Sequence, residues 1–293
     1  MKFYQKNSII YQKGLSMNYI SLGGTLFTPA TYKDIQKLFT LKKYPTLKSL
    51  LIDLEDGCND YNKGLENIKN LDFSKRKIPT FLRPKNPDSL KELIQFDIDG
   101  FILPKFGLNN SQQYLNILKN TKFYIMPSIE GEELFDFNKL LQLKEILKNQ
   151  NVLTIRIGCE DMFRQLHMKK GKYSIFDRSV TNNIIGNIIA IFKSAGFNIS
   201  GCVYPYFNDI EGFKKDIQKE FFEGLFSKTI IHPNQIEPLN ELYKVTTEEL
   251  NEAKEILSSK KSIFNQNETM AETKTQTPYA KTIIKRYEVY GLK

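Results

Sequence analysis

The feature that most limits what this chain can become is a series of eight short apolar runs, each ending in polar residues and followed by a stretch long enough for a helix. The runs fall at residues 24–27, 50–54, 78–82, 100–103, 123–129, 152–157, 199–203 and 229–231. Most are continuously apolar rather than alternating, the pattern of parallel strands covered on both faces. Helical segments are predicted between them at 32–39, 65–71, 89–96, 111–118, 137–147, 179–195 and 211–226. In the last of these Phe213, Ile217, Phe221 and Leu225 recur every fourth residue, a stripe suited to packing on a sheet. Parallel neighbours need crossovers of this length. Eight such units point to an α/β fold, a (β/α)8 TIM barrel with a C-terminal helical extension, and 293 residues are enough for one large barrel.

The chain changes character after Pro233. Residues 239–257 predict one or two helices. Residues 265–277, rich in Asn, Gln, Thr and Glu, offer little to bury and read as a linker or a flexible lid. Apolar content returns with Ile283, Ile284, Tyr287, Val289 and Tyr290, as in a tail that docks. The expected division is therefore a catalytic barrel over 1–240 and, over 241–293, a helical extension with a polar linker and a docking tail.

Composition narrows the function classes. The formal charge of +9 favours phosphate or carboxylate ligands, but its lysines are scattered. No zinc finger, compact basic helix or RNA-binding strand signature accompanies them, so no nucleic-acid partner is expected. Cys58, Cys159 and Cys202 are odd in number, widely spaced and without a CxxC motif, which predicts a reducing compartment and no structural disulfide. The first residues include Lys2, Lys6 and Lys13 but no apolar signal segment, and no run reaches the roughly 18 apolar residues of a membrane span. The expected address is cytoplasmic, away from membranes.

The informative residues stand where the apolar runs end. Asp53, Glu55 and Asp56 follow the second run, either as a solvated loop or as a rim that orients a ligand. Arg83 follows the third and Lys105 the fourth. Arg83 can bind a substrate carboxylate in a paired fashion and Lys105 supplies a compact charge, or both can form structural salt bridges with Asp53 or Glu55. Glu130 follows the fifth run, and the sixth ends in Arg156, Ile157, Gly158, Cys159, Glu160 and Asp161. Adjacent strand ends converge in a barrel, so Glu130 and Asp161 can hold Mg2+ or Mn2+ with water and substrate oxygens completing the shell. Glu160 is the rival to Asp161, and acids at such positions also cap helices. The eighth run leads into His232, Pro233, Asn234 and Gln235, where the polar side chains position a ligand or stabilise the loop. With only His167 and His232 in the chain, a zinc site of three histidines is excluded.

In order along the chain, Thr25-Leu-Phe-Thr-Pro29, Leu51-Ile-Asp-Leu-Glu-Asp56, Arg83, Leu103-Pro-Lys105, Ile129-Glu130, Gly158-Cys-Glu-Asp161 and Ile231-His-Pro-Asn-Gln235 resemble the HpcH/HpaI aldolase and citrate lyase beta-subunit superfamily over roughly residues 21–240. The opening Leu22 to Ala30 and the closing Tyr287 to Gly291 look closer to its carbon–carbon lyase-like branch, associated with tellurium-resistance and stress gene clusters. The resemblance implies Glu130 and Asp161 as Mg2+ ligands, Arg83 against substrate or the developing enolate, Glu55 and Asp56 as catalytic-rim residues, and a homo-oligomer. Gly57-Cys-Asn59 and the 158–178 connection depart from the family pattern, which bears on acyl-CoA recognition.

The expectation is thus an Mg2+-dependent carbon–carbon lyase or aldolase. Its substrate would be a small carboxylate or oxoacid, free or as a CoA thioester, contacted by Arg83, Lys105, His232, Asn234 and Gln235. Two alternatives remain beside it: a biosynthetic enzyme acting on a phosphorylated metabolite, and a catalytically weak scaffolding protein of a stress complex.

Overall fold

The computed structural model describes residues 17–293. Lys2, Lys6 and Lys13, and with them the expectation about a signal segment, lie outside the described residues. Among those residues no helix is long and apolar enough to cross a membrane.

Seven strands form one parallel sheet: β1 (Gly24–Pro29), β2 (Ser49–Asp53), β3 (Thr80–Arg83), β4 (Gly100–Leu103), β5 (Tyr124–Ile129), β6 (Arg156–Ile157) and β7 (Lys228–Ile230), in the order β6-β5-β4-β3-β2-β1-β7. The run at 199–203 departs from expectation, because it joins its neighbours only through single parallel bridges, Ile155 to Ile199 and Gly201 to Lys228. Those bridges nevertheless set it between β6 and β7, closing the ring where the eighth strand belongs. The wall is completed by α1 (Ile35–Phe39), α2 (Tyr61–Lys69), α3 (Pro87–Leu93), α4 (Ser111–Leu118), α5 (Phe137–Leu147), α6 (Cys159–Gln165), α7 (Ser179–Ser194) and α8 (Ile210–Phe222). Leu26, Ile52, Leu82, Phe101 and Ile129 face these helices in the main core.

The inward faces explain where a site can form. Leu51, Phe81, Ile102 and Met126 pack together inside the ring, with Leu51 beside Phe81 and Ile102 beside Met126. Since strand side chains alternate, the next inward residues are two places further on. There the register pairs Asp53 with Arg83 and Ser128 with Arg156. The barrel interior is therefore apolar at the strand starts and ionic at the strand ends.

Two expectations are overturned here. Cys159 and Cys202 form a disulfide with their Cα atoms 6.0 Å apart. They are distant in sequence, but the pairing of Ile155 with Ile199 brings their segments side by side. This removes the cysteine argument for a reducing compartment. The polar stretch at 265–277 is neither linker nor lid: it forms a hairpin, β8 (Ile263–Gln266) with β9 (Thr269–Glu272), and then opens the long helix α11 (Thr273–Tyr290). Gln266 fastens the hairpin to α10 (Thr247–Ser258) by donating to the Glu255 carboxylate at 2.7 Å.

The helices α10 and α11 share a small core of their own, made of Val245, Leu250, Ala253, Ile256, Ala280 and Ile283. The helix α9 (Ile236–Tyr243) leads from the barrel into this pair. Buried Arg286 donates to the carbonyls of Tyr243 and Lys244. Tyr290 packs edge-on against Tyr243 and donates its hydroxyl to the Ile20 carbonyl at 2.8 Å. Ile20 precedes β1, so the chain's last turn docks at the strand-start end of the ring.

Candidate active site

The ionic end of the barrel is organised around Asp53, a fully buried carboxylate at the tip of β2. One oxygen accepts from the Glu55 amide at 3.1 Å and the other from the Gly57 amide at 2.7 Å, which winds the following loop back over the strand end. Gly57 is required by this turn, since a Cβ there would lie 2.5 Å from the Phe27 ring. The Arg83 Nε donates to the same Asp53, its Nη2 lies 3.1 Å from Glu55, and the guanidinium sits over the Phe27 ring at 5.3 Å. Burial opposes the Arg83 charge, but the bond to Asp53 and the field of Glu55 outweigh it and raise its pKa further.

Lys105 reaches the other side of this acid loop. Its ammonium bonds Glu55 and lies 3.2 Å from Asp56. The residue holds φ at 47°, a left-handed conformation that costs a side-chain-bearing residue energy, and Asn110 steadies it by donating to its carbonyl at 2.8 Å. The salt-bridge reading of Arg83 and Lys105 is thus realised, with Glu55 shared between them.

Glu130 follows β5 and is 5% exposed. Its backbone carbonyl accepts from the Gln165 amide at 2.7 Å, tying it to α6. Gly158 makes room for its side chain: a Cβ there would lie 2.2 Å from the Glu130 Cγ. Burial pushes the Glu130 carboxyl up to about 7, and Glu55 and Asp161 raise it further against the opposing pull of Ser128 and Arg83. Arg83, Glu55 and Asp161 are therefore all near enough to act on the Glu130 carboxyl.

Asp161 stands in the first turn of α6, where the helix dipole favours an acid, and pairs with Arg164 at 2.5 Å. Its rival Glu160 is bound to Lys170 at the rim. Among the described residues no three His, Cys, Asp or Glu side chains are grouped to hold a metal ion. Two convergent carboxylates fit a hard dication that keeps water and substrate oxygens in its shell, of the Mg2+ kind, rather than a closed zinc site. Glu130 in particular is an acid whose charged form burial disfavours, with Glu55 and Asp161 adding to the effect, and a dication beside it would stabilise that charge.

The segment after β7 takes another course. Gln235 is fully buried and its carbonyl oxygen accepts from the amides of Ile231 and His232 at 2.9 and 3.2 Å, while its nitrogen donates to the Tyr204 carbonyl. The amide that was expected to hold substrate instead holds the loop. His232 caps the same turn through Nδ1, which accepts from the Asn234 amide, and stacks on Phe207 with ring centroids 4.4 Å apart. No hydrogen bond, ion pair or ring contact joins His232 or the exposed Asn234 to the acid cluster among the described residues.

Sequence reasoning passed over Arg156. The register with Ser128 turns it inward beside Glu130, and it is 6% exposed. Its signal was the spacing: it stands two residues before Gly158, inside a run otherwise apolar from Ile155 to Ile157.

The family described as C–C bond lyase of the TIM-barrel fold matches residues 16–292. A citrate lyase subunit beta of Leuconostoc mesenteroides subsp. cremoris is 32% identical over 230 residues, covering 72% of this chain and 74% of that protein. Among solved structures, the protein CitE of Mycobacterium tuberculosis in complex with magnesium, acetoacetate and coenzyme A superposes with a TM-score of 0.69 at 19% identity, covering 90% of this chain and 97% of that one. A citrate lyase beta subunit of the same organism, complexed with oxaloacetate and magnesium, gives 0.61 at 20% identity over 78% of this chain and all of its own, 100%. At these identities the structural matches speak for the fold.

Proposed function

The chain belongs to the carbon–carbon bond lyase family of the TIM-barrel fold, within the HpcH/HpaI aldolase and citrate lyase beta-subunit superfamily, and from that premise we propose that it cleaves or forms a carbon–carbon bond in a small carboxylated oxoacid with the help of Mg2+. The observation that carries this reading is Glu130, buried where β5 ends, with Arg83 and Asp161 near enough to act on its carboxyl. The magnesium complexes of two structural neighbours add support.

Glu130 and Asp161 would hold the ion, which when bound neutralises a substrate carboxylate and polarises the oxygen beside it. Arg83, fixed by Asp53 and Glu55, stands as a preorganised positive charge where negative charge develops on bond cleavage. Glu55 and Asp56 orient Arg83 and Lys105 from the rim. Lys105, 52% exposed as a side chain, lies where an incoming anion would first meet the site. Asn234 is kept as a peripheral substrate contact and His232 as a positioning residue, while Gln235 is withdrawn from substrate binding. Mn2+ is proposed as a working substitute, and a CoA thioester as one form of the substrate, supported by the coenzyme A bound to one neighbour. The link to tellurium-resistance and stress functions rests on the motifs at Leu22 to Ala30 and Tyr287 to Gly291 alone.

The test is an assay of the purified protein against 2-keto-3-hydroxy acids and malyl- or citramalyl-type thioesters, with Mg2+, with Mn2+ and with EDTA. Retro-aldol products that appear only with metal are expected. No product from any substrate, in a protein shown to bind Mg2+, would sink the proposal.

A further inference from the structure

We infer that Arg156 is the carboxylate receptor of the barrel mouth, taking a second carboxylate of the substrate while other substrate oxygens face Glu130 and Asp161. The inference rests on the reading above and narrows its substrate to a dicarboxylate. Arg156 lies on β6 in register with Ser128, so its side chain shares the inward face with Glu130, two residues beyond Ser128. It is 6% exposed, and its Nη1 is buried without a hydrogen-bond partner.

The neighbouring cations are all committed. Arg83 is bound to Asp53 and Glu55, Lys105 to Glu55 and Asp56, and Arg164 to Asp161. Arg156 has no ion pair of this kind among the described residues, although Glu130 is near enough to influence it. Burial and repulsion by Arg83 pull its pKa down to about 10, so it stays cationic at neutral pH. A buried, unpaired guanidinium is costly in the free protein. Its planar donors match a carboxylate, and a ligand that brings one would complete the cluster.

The experiment titrates oxaloacetate and pyruvate, the same 2-oxo acid without its second carboxylate, into the full-length protein with Mg2+ and with EDTA. Arg156→Met and Arg156→Lys are measured alongside by calorimetry. Arg156→Met is expected to weaken oxaloacetate binding by about ten- to a hundredfold and to leave pyruvate binding nearly unchanged. Arg156→Lys should recover part of the loss. Removal of an unpaired buried charge should also raise the melting temperature of the ligand-free protein.

Unchanged oxaloacetate affinity in Arg156→Met overturns the inference, and so does a lowered melting temperature, which would mark Arg156 as a structural partner of Glu130. Failure of the wild-type protein to bind oxaloacetate in either buffer overturns it too. Metal-dependent turnover of other substrates by the same samples decides the broader lyase reading separately.

Discussion

Lys228 and Lys105 each hold two carboxylates, one inside the barrel wall and the other at its mouth. Lys228 is fully buried between β7 and α8, where its three donors go to Asp216 at 2.7 Å, Glu220 at 2.6 Å and the Cys202 carbonyl. Lys105 lies largely in solvent and shares Glu55 with Arg83. The wall cluster uses every donor of its lysine on the protein itself. The mouth cluster leaves Arg156 over, buried without an ion pair of its own among the described residues. With its cation fully used the wall cluster joins a helix to a strand, although one Glu220 oxygen is buried without a partner, whereas the mouth cluster keeps a cation with valence for a ligand.

The sharpest way to break this contrast is Lys228→Met, which leaves Asp216 and Glu220 dry and uncompensated. It should cost about 3–5 kcal/mol in denaturant unfolding, while replacing all three side chains by apolar ones of similar volume should recover most of that loss. A stable single variant would mean that the wall cluster does not depend on Lys228. Next in size is Glu130→Gln, which should lower metal-dependent turnover by roughly a hundredfold with little change in melting temperature, as measured by steady-state kinetics and a thermal scan.

A third measurement sharpens the electrostatics of the wall. Burial pushes the Glu220 carboxyl up against the opposing pull of Lys228, so above the usual carboxylate range the folded protein holds a proton more readily than the unfolded chain does. Stability contributed at this site is therefore lost as pH rises above the usual carboxylate range, by up to about 1.4 kcal/mol per pH unit. Glu220→Gln should flatten the dependence in unfolding curves taken from pH 5 to 9, and an unchanged slope would assign it to other groups. The smallest effect is expected for Lys105→Met: the lysine itself is half in solvent and buried Glu55 keeps Arg83 as a partner, so the same unfolding assay should register less than about 1 kcal/mol.

The two regions also differ in how legible they were. Asp53, Glu55, Arg83, Lys105, Glu130 and Asp161 could be read because each interrupts the end of an apolar run, and strand ends in a barrel converge. Which cation was already committed could not be read, because that depends on the Asp53–Arg83 register and on the loop that Gly57 folds back. Arg156 hid inside a strand, and its inward direction emerges only from the pairing with Ser128. Asp216 and Glu220 stand four apart on α8, a spacing that also suits a solvated face, and only Lys228 across the wall gives them a partner.

The hairpin at the C-terminal extension was missed for a local reason. Its turn residues Asn267 and Glu268 both adopt positive φ, 49° and 63°, the geometry of a tight hairpin in which the second position is usually Gly. With Glu there, the turn signal vanished into a polar composition. The run at 199–203 was overread for the opposite reason: its apolar residues suit a wall, but only two bridges form.

The docking of Tyr290 against Ile20 has a practical consequence. It anchors the chain's end at the base of the barrel, opposite the rim where Glu130 and Arg83 meet. A surface or carrier attached through Lys293 would hold the molecule with its opening turned outward, so immobilised protein should still admit small solutes freely.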